Sequence, residues 1–205
     1  MDQGRNRNGK DLLDIEGCKN PDDTATAIRW VYMITNNKMK SNSSLPPQVA
    51  LELYRGEYKG VEKFCAYGQK IYANRGAPRA LATALCYLFW QADQRKAQEF
   101  IEAWSTGNET YINPLRHAHE HMTRLRDRHL IQKAGKEMRI TYAAMIIKAW
   151  NLFCVGRRKC YAKAVIYNIH EEQFPMIDGL EVTRYFIKLA IDPSNPPKST
   201  TKKAA

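Results

Sequence analysis

The stretch RHAHEHMTRLRDRH, residues 116 to 129, holds four histidines, four arginines and two acids within fourteen residues. Side chains of these types can ligate a metal or receive an anion, and the spacing separates the two. Asn113 and Pro114 are a helix start, and nothing from Leu115 to His129 breaks a helix. Leu115, Ala118, Met122 and Leu125 recur at intervals of three and four and form a buried stripe. His117, His121, Arg124 and Arg128 then share one polar face, while His119, about 200° round the helix from His117, belongs to a different side. Only two imidazoles share a face, and zinc needs a third protein ligand from elsewhere. A metal-dependent hydrolase built on His117, His121 and Glu120 is therefore the third choice, behind a cationic helix face.

The segment GRRKCYAK strengthens the cationic reading, because it sets Arg157, Arg158, Lys159 and Lys163 after an apolar helix with Tyr161 and Tyr167 interleaved. Cations take phosphates, and rings stack on unpaired bases. Basic residues at a helix C-terminus also have a plainer use, offsetting the negative end of the helix dipole. The N-terminal MDQGRNRNGKD, with Arg5, Arg7 and Lys10, resembles a phosphate-contacting arm but lacks P-loop spacing, and a solubilising end accounts for it equally well. Cations beside Cys154 and Cys160 would lower a thiol pKa, the one hint of a nucleophile, although buried structural thiols are the simpler expectation. Glu171 and Glu172 beside His170 could act as acid and base or bind a metal, but a short polar turn usually just faces solvent.

Charge distribution shows why this region stands out. Residues 113 to 163 hold twelve Lys or Arg against three acids, net +9, whereas the other 154 residues hold twenty against eighteen. A net charge of +11 implies an anionic partner when it is concentrated in this way. The five cysteines, odd in number and without a C-x-x-C pair, imply reduced thiols and hence the cytoplasm. No apolar run reaches the roughly 18 residues of a membrane span, and no secretory leader is legible.

The elements that must position these groups read as helices. Asn20 and Pro21 open a helix running to about Thr35; Pro46 and Pro47 open a short one through Tyr54; Gly76 ends a helix spanning VEKFCAYGQKIYA. Ala80 to Trp90 is apolar on nearly every side and marks a central helix. Ala97, Phe100, Ile101 and Trp104 form the stripe of an amphipathic helix stopped by Gly107, and Tyr142 to Val155 repeats the central pattern up to Gly156. Trp30, Trp90, Trp104 and Trp150 fall in apolar stripes and are core candidates. YAKAVIYNIHEEQFP is the best strand candidate, and EVTRYFIKLAID is a strand or a last helix. The fold expected is mostly α, a single helical domain over residues 1 to 191 with two buried central helices and a small C-terminal appendage in the form of a short strand or hairpin. Residues 192 to 205 form a basic, disordered tail.

MDQGRNRNGKDLLDIEGCKN, AIRWVY, ALCYLFWQAD, EFIEAWSTG, PLRHAHEHMTRLRDR, MIIKAWNLFCVGRR and EEQFP, in that order, resemble the helical C-terminal region of phage and bacterial proteins with a ParB-like, DGQHR-type N-terminal domain. The similarity covers roughly residues 1 to 175. That domain is expected upstream of the D-x-G-R segment, where Met1 stands here, so no catalytic residue carries over. The resemblance implies a mobile-element context and a module working beside nucleic acid. Residues and resemblance together predict a non-enzymatic nucleic-acid-binding or nucleoprotein-associated protein without a cofactor or bound metal. Its phosphate contacts are Arg116, Arg124, Arg128, Arg157, Arg158, Lys159 and Lys163, with Arg5 and Arg7. The alternative is a protein-binding inhibitor of a host defence complex, of anti-CRISPR type. DNA and RNA are both open.

Overall fold

A computed structural model describes residues 7 to 39, 45 to 128 and 135 to 181, the side chains of Arg126 and Arg128 excepted. Its elements are α1 (Gly9–Ile15), α2 (Pro21–Thr35), α3 (Pro47–Arg55), α4 (Cys65–Arg75), α5 (Arg79–Ala92), α6 (Gln94–Thr106), α7 (Asn113–Arg128) and α8 (Lys136–Cys154). Short 3-10 turns cover Lys59–Phe64 and Ala162–Ala164. No strand occurs among the described residues. Together the helices build one helical domain, as the spacing of apolar residues requires.

Helix α5 is the centre. Every side chain from Ala80 to Phe89 is buried, because α5 packs against α2, α4, α6 and α8. Its approach to α4 depends on Gly68: a Cβ there would lie 2.7 Å from the Arg79 carbonyl oxygen and overlap the Thr83 hydroxyl. The second buried helix, α8, brings Trp150 face to face with Phe89 at 4.6 Å between centroids, and Phe100 of α6 meets both rings edge on. Such arrangements add about 0.5–1.5 kcal/mol each beyond area burial. Trp30, Trp104 and Trp150 are core residues, and Trp90 is partly covered against Phe64.

Three expectations need correction. The N-terminal basic stretch is not merely a solvated end, since Gly9–Ile15 is helical behind a capping box in which the Asn8 side chain accepts from Asp11 N–H and the Asp11 carboxylate accepts from Asn8 N–H. The VEKF part of the α4 segment is a 3-10 turn, with the α-helix starting only at Cys65. The strand candidate at residues 161 to 175 is a 3-10 turn followed by irregular chain. Side chains of α8 fasten this chain and its continuation in place of a ladder: Lys148 Nζ donates to the Ile166 carbonyl, and just beyond the segment Asn151 Nδ2 donates to the Met176 carbonyl and Asp178 N–H to Asn151 Oδ1. Lys148 also pairs with Glu172, so that half-buried carboxylate helps tie down the segment. Residues 182 to 191, the other strand-or-helix candidate, and the tail from 192 lie outside the described residues.

Candidate nucleic-acid interface

Helix α7 organises the charged part of the molecule. Leu115, Ala118 and Met122 are buried and Leu125 is partly covered, as the stripe predicts. His119 joins them at 9 % exposure, standing four residues after Leu115 and three before Met122. Its Nε2 receives the Trp104 indole N–H at 3.0 Å and lies 3.1 Å from the Tyr142 hydroxyl. An indole only donates, so Nε2 is the bare nitrogen and Nδ1 carries the hydrogen. Nδ1 lies 2.5 Å from Glu109 Oε1, and the same oxygen is 3.0 Å from Arg75 Nε. Arg75, Glu109 and His119 thus form a buried ionic cluster whose facing atoms are in close contact without hydrogen-bond geometry, and the Nε2 lone pair of His119 is taken by the Trp104 N–H.

His117 is occupied from the other flank. Its Nε2–H donates to the Cys160 carbonyl at 3.2 Å, and Nδ1 faces Glu120 at 3.5 Å. Among the described residues, no three His, Cys, Asp or Glu side chains come together to hold a metal. His117, His121 and Glu120 do not converge as a ligand set among the described residues, so the metal reading has no geometry to stand on.

That carbonyl belongs to the basic segment after α8, whose course is set locally. Gly156 takes φ 76°, and Gly156 and Arg157 N–H groups return to the Phe153 and Leu152 carbonyls, closing the helix in a Schellman turn. The chain then runs onto the start of α7. Asn113 N–H donates to the Arg158 carbonyl and Cys160 N–H to Asn113 Oδ1, both at 3.1 Å. Two clusters from opposite ends of the basic region therefore meet at one place.

The cations divide by pairing. Arg158 turns away to Glu99 at 2.8 Å and lies over the rings of Tyr111 and Phe153, so it serves packing between α6 and α8. Arg116 pairs with Glu120 at 3.7 Å, one turn along α7. Arg124, Arg157, Lys159 and Lys163 are exposed, with no carboxylate at ion-pair distance among the described residues. Arg7 is exposed beside α1; Arg5 and the Arg128 side chain lie outside the described residues. The aromatic pair also divides. Tyr161 is 82 % exposed, whereas Tyr167, 4 % exposed, packs edge on against Phe174 and under the Lys148 ammonium. Burial raises the thiol pKa of Cys154, to about 11, and of Cys160, the opposite of what an activated nucleophile requires.

A second feature, which the spacing of residues does not reveal, lies on the far flank of α7. Arg75, Glu109, Arg116, His119, Glu120, Thr123 and Arg124 line a shallow depression of about 360 Å3. Through Arg75, His119 and Thr123 it adjoins a larger cleft of about 790 Å3 walled by the α4–α5 corner, α7 and the first turns of α8. Arg75 and Arg139 enter the site this way, from helices whose sequences give no functional signal.

Compared with known proteins, the sequence matches no family model, and neither a curated protein nor a solved structure matches it.

Proposed function

We propose that this chain is a non-enzymatic nucleic-acid-binding protein of a mobile element, holding an unpaired strand on the segment after α8 and the outward face of α7. The observation that carries this is Tyr161, 82 % exposed in a segment whose neighbours Arg157, Lys159 and Lys163 are exposed and unpaired among the described residues. An aromatic ring left in water among free cations offers a base a stacking face and its phosphates counterions, the combination that single-strand binders use. The short turn through Ala162–Ala164, fastened at Asn113 and His117, presents these groups from a fixed backbone. The Arg116 and Arg158 contacts expected from sequence drop out of this reading, because each already has a carboxylate.

The test is binding of labelled single-stranded DNA, duplex DNA and RNA oligonucleotides to the native protein, to Tyr161→Ala and to the Arg157→Gln, Lys159→Gln, Lys163→Gln triple variant. Tyr161→Ala is expected to cost about 1–3 kcal/mol on single strands, the worth of one stacked base, and far less on duplex. The triple variant weakens all three ligands regardless of sequence. No binding to any of them removes the reading and leaves an acidic protein surface as the partner for these cations.

A further inference from the structure

The cleft of about 790 Å3 lies within the ~300–1,000 Å3 range of sites that take small molecules. Its lining is divided by chemistry. Met122, Met138, Ala77 and Pro78 give an apolar floor, and Tyr72, 54 % exposed, adds an aromatic ring. Polar groups with fixed roles converge on it. Asn74 Nδ2 donates to the Ser105 carbonyl at 2.5 Å, which orients the amide and leaves Oδ1 as an acceptor; the Thr123 hydroxyl is exposed. Arg75 is held by Glu109, and Arg139 is exposed with no carboxylate at ion-pair distance among the described residues.

We propose that this cleft binds a single nucleotide unit, with the base on the Met122–Met138 floor beside Tyr72 and the phosphate on Arg139. A flat heteroaromatic ring fits an apolar floor with one aromatic neighbour, and its edge needs the mixed donors and acceptors that Asn74 and Thr123 supply. The unpaired guanidinium needs an anion, and Arg forks match phosphate oxygens in pairs. The choice of a nucleotide over other anionic aromatics rests on the nucleic-acid reading above. Because α7 lies between the cleft and the Tyr161 segment, one strand passing over α7 would engage both.

The experiment measures binding of the four nucleoside 5′-monophosphates, of adenosine and of inorganic phosphate to the full chain by calorimetry and thermal shift. It is repeated on Arg139→Glu, Tyr72→Ala and Thr123→Leu. All three positions are at least partly exposed, and circular dichroism verifies folding of each variant. The expected result is saturable binding of at least one monophosphate, with adenosine and phosphate alone each weaker by roughly tenfold or more. Arg139→Glu removes the advantage of the monophosphate over the nucleoside, Tyr72→Ala weakens both, and the Arg157, Lys159, Lys163 triple variant changes neither. No monophosphate binding, or binding that all three cleft variants leave intact, overturns the proposal. Monophosphate binding in a protein that fails to bind any oligonucleotide keeps the cleft and removes the nucleic-acid reading, so the two failures are distinct.

Discussion

Replacing His119 by Phe tests whether the buried Trp104–His119–Glu109 cluster at the edge of the cleft is scaffold or chemistry. Trp104 is fully enclosed, and its indole N–H donates to His119 Nε2; Phe leaves it without that acceptor, at about 1–3 kcal/mol. Glu109, 5 % exposed, loses its close contact with Nδ1 and keeps the one with Arg75; because the Nδ1 contact lacks hydrogen-bond geometry, its loss adds little to that of the indole acceptor. A net loss of about 1–3 kcal/mol is expected, a sizeable share of the ~5–15 kcal/mol that holds a domain together. His119→Gln, whose amide both accepts and donates, should lose less. Urea unfolding followed by tryptophan fluorescence and far-ultraviolet dichroism reads both variants, and oligonucleotide binding by the folded fraction should be unchanged. A loss below about 1 kcal/mol for Phe would refute the cluster as a structural element.

Gly68→Ala should destabilise by about 1–3 kcal/mol or more through overpacking where α4 crosses α5, seen as a lowered urea midpoint with an unchanged slope. Arg158→Gln should lower stability through the lost Glu99, Tyr111 and Phe153 contacts while leaving the salt dependence of oligonucleotide binding as it was; a flattened salt dependence would show that Arg158 takes a phosphate after all. Four carboxyl groups among the described residues lie below their ordinary range, Glu16, Glu62, Asp93 and Glu172; of these, Asp93 is held down by the Lys96 N–H that it caps, and Glu172 by Lys148 and then by Asn168 N–H. A depressed folded pKa gives stability that is complete above the unfolded value, about 4, and is lost as pH falls through the folded one. Asp93→Asn with Glu172→Gln should therefore flatten the fall in stability between about pH 5 and pH 3, measured by urea titration at each pH.

The helices were legible where punctuation and period agreed. Asn20 with Pro21 starts α2, Gly107 and Gly156 stop α6 and α8, and the all-round apolar runs mark α5 and α8 as interior. Helix α1 was hidden because its seven residues follow a cap, Asn8, set in a run of Gly, Arg and Asn that reads as solvated chain. The 161 to 175 segment misled because Val, Ile and Tyr suit a strand by type, yet only Val165 and Tyr167 are buried here, Ile166 and Ile169 are half-buried and Tyr161 stays exposed, with no ladder among the described residues. The Arg116–Glu120 pair could have been foreseen from its four-residue spacing; the Arg158–Glu99 pair could not, since only the packing of α6 against α8 creates it. The burial of His119 was readable from its interval to Leu115 and Met122, whereas Arg75, Arg139 and Tyr72 meet only through tertiary structure.

The most direct measurement is the salt dependence of single-strand binding by the native protein beside the Arg157, Lys159, Lys163 triple variant. Four cations with no carboxylate at ion-pair distance among the described residues, Arg124 with these three, should each displace a counterion, so the logarithm of the affinity falls with the logarithm of salt at a slope of about −3 for the native chain and about −1 for the variant. Equal slopes in the two proteins, or a native slope near zero, would contradict the claim that this segment and α7 form one phosphate-binding surface.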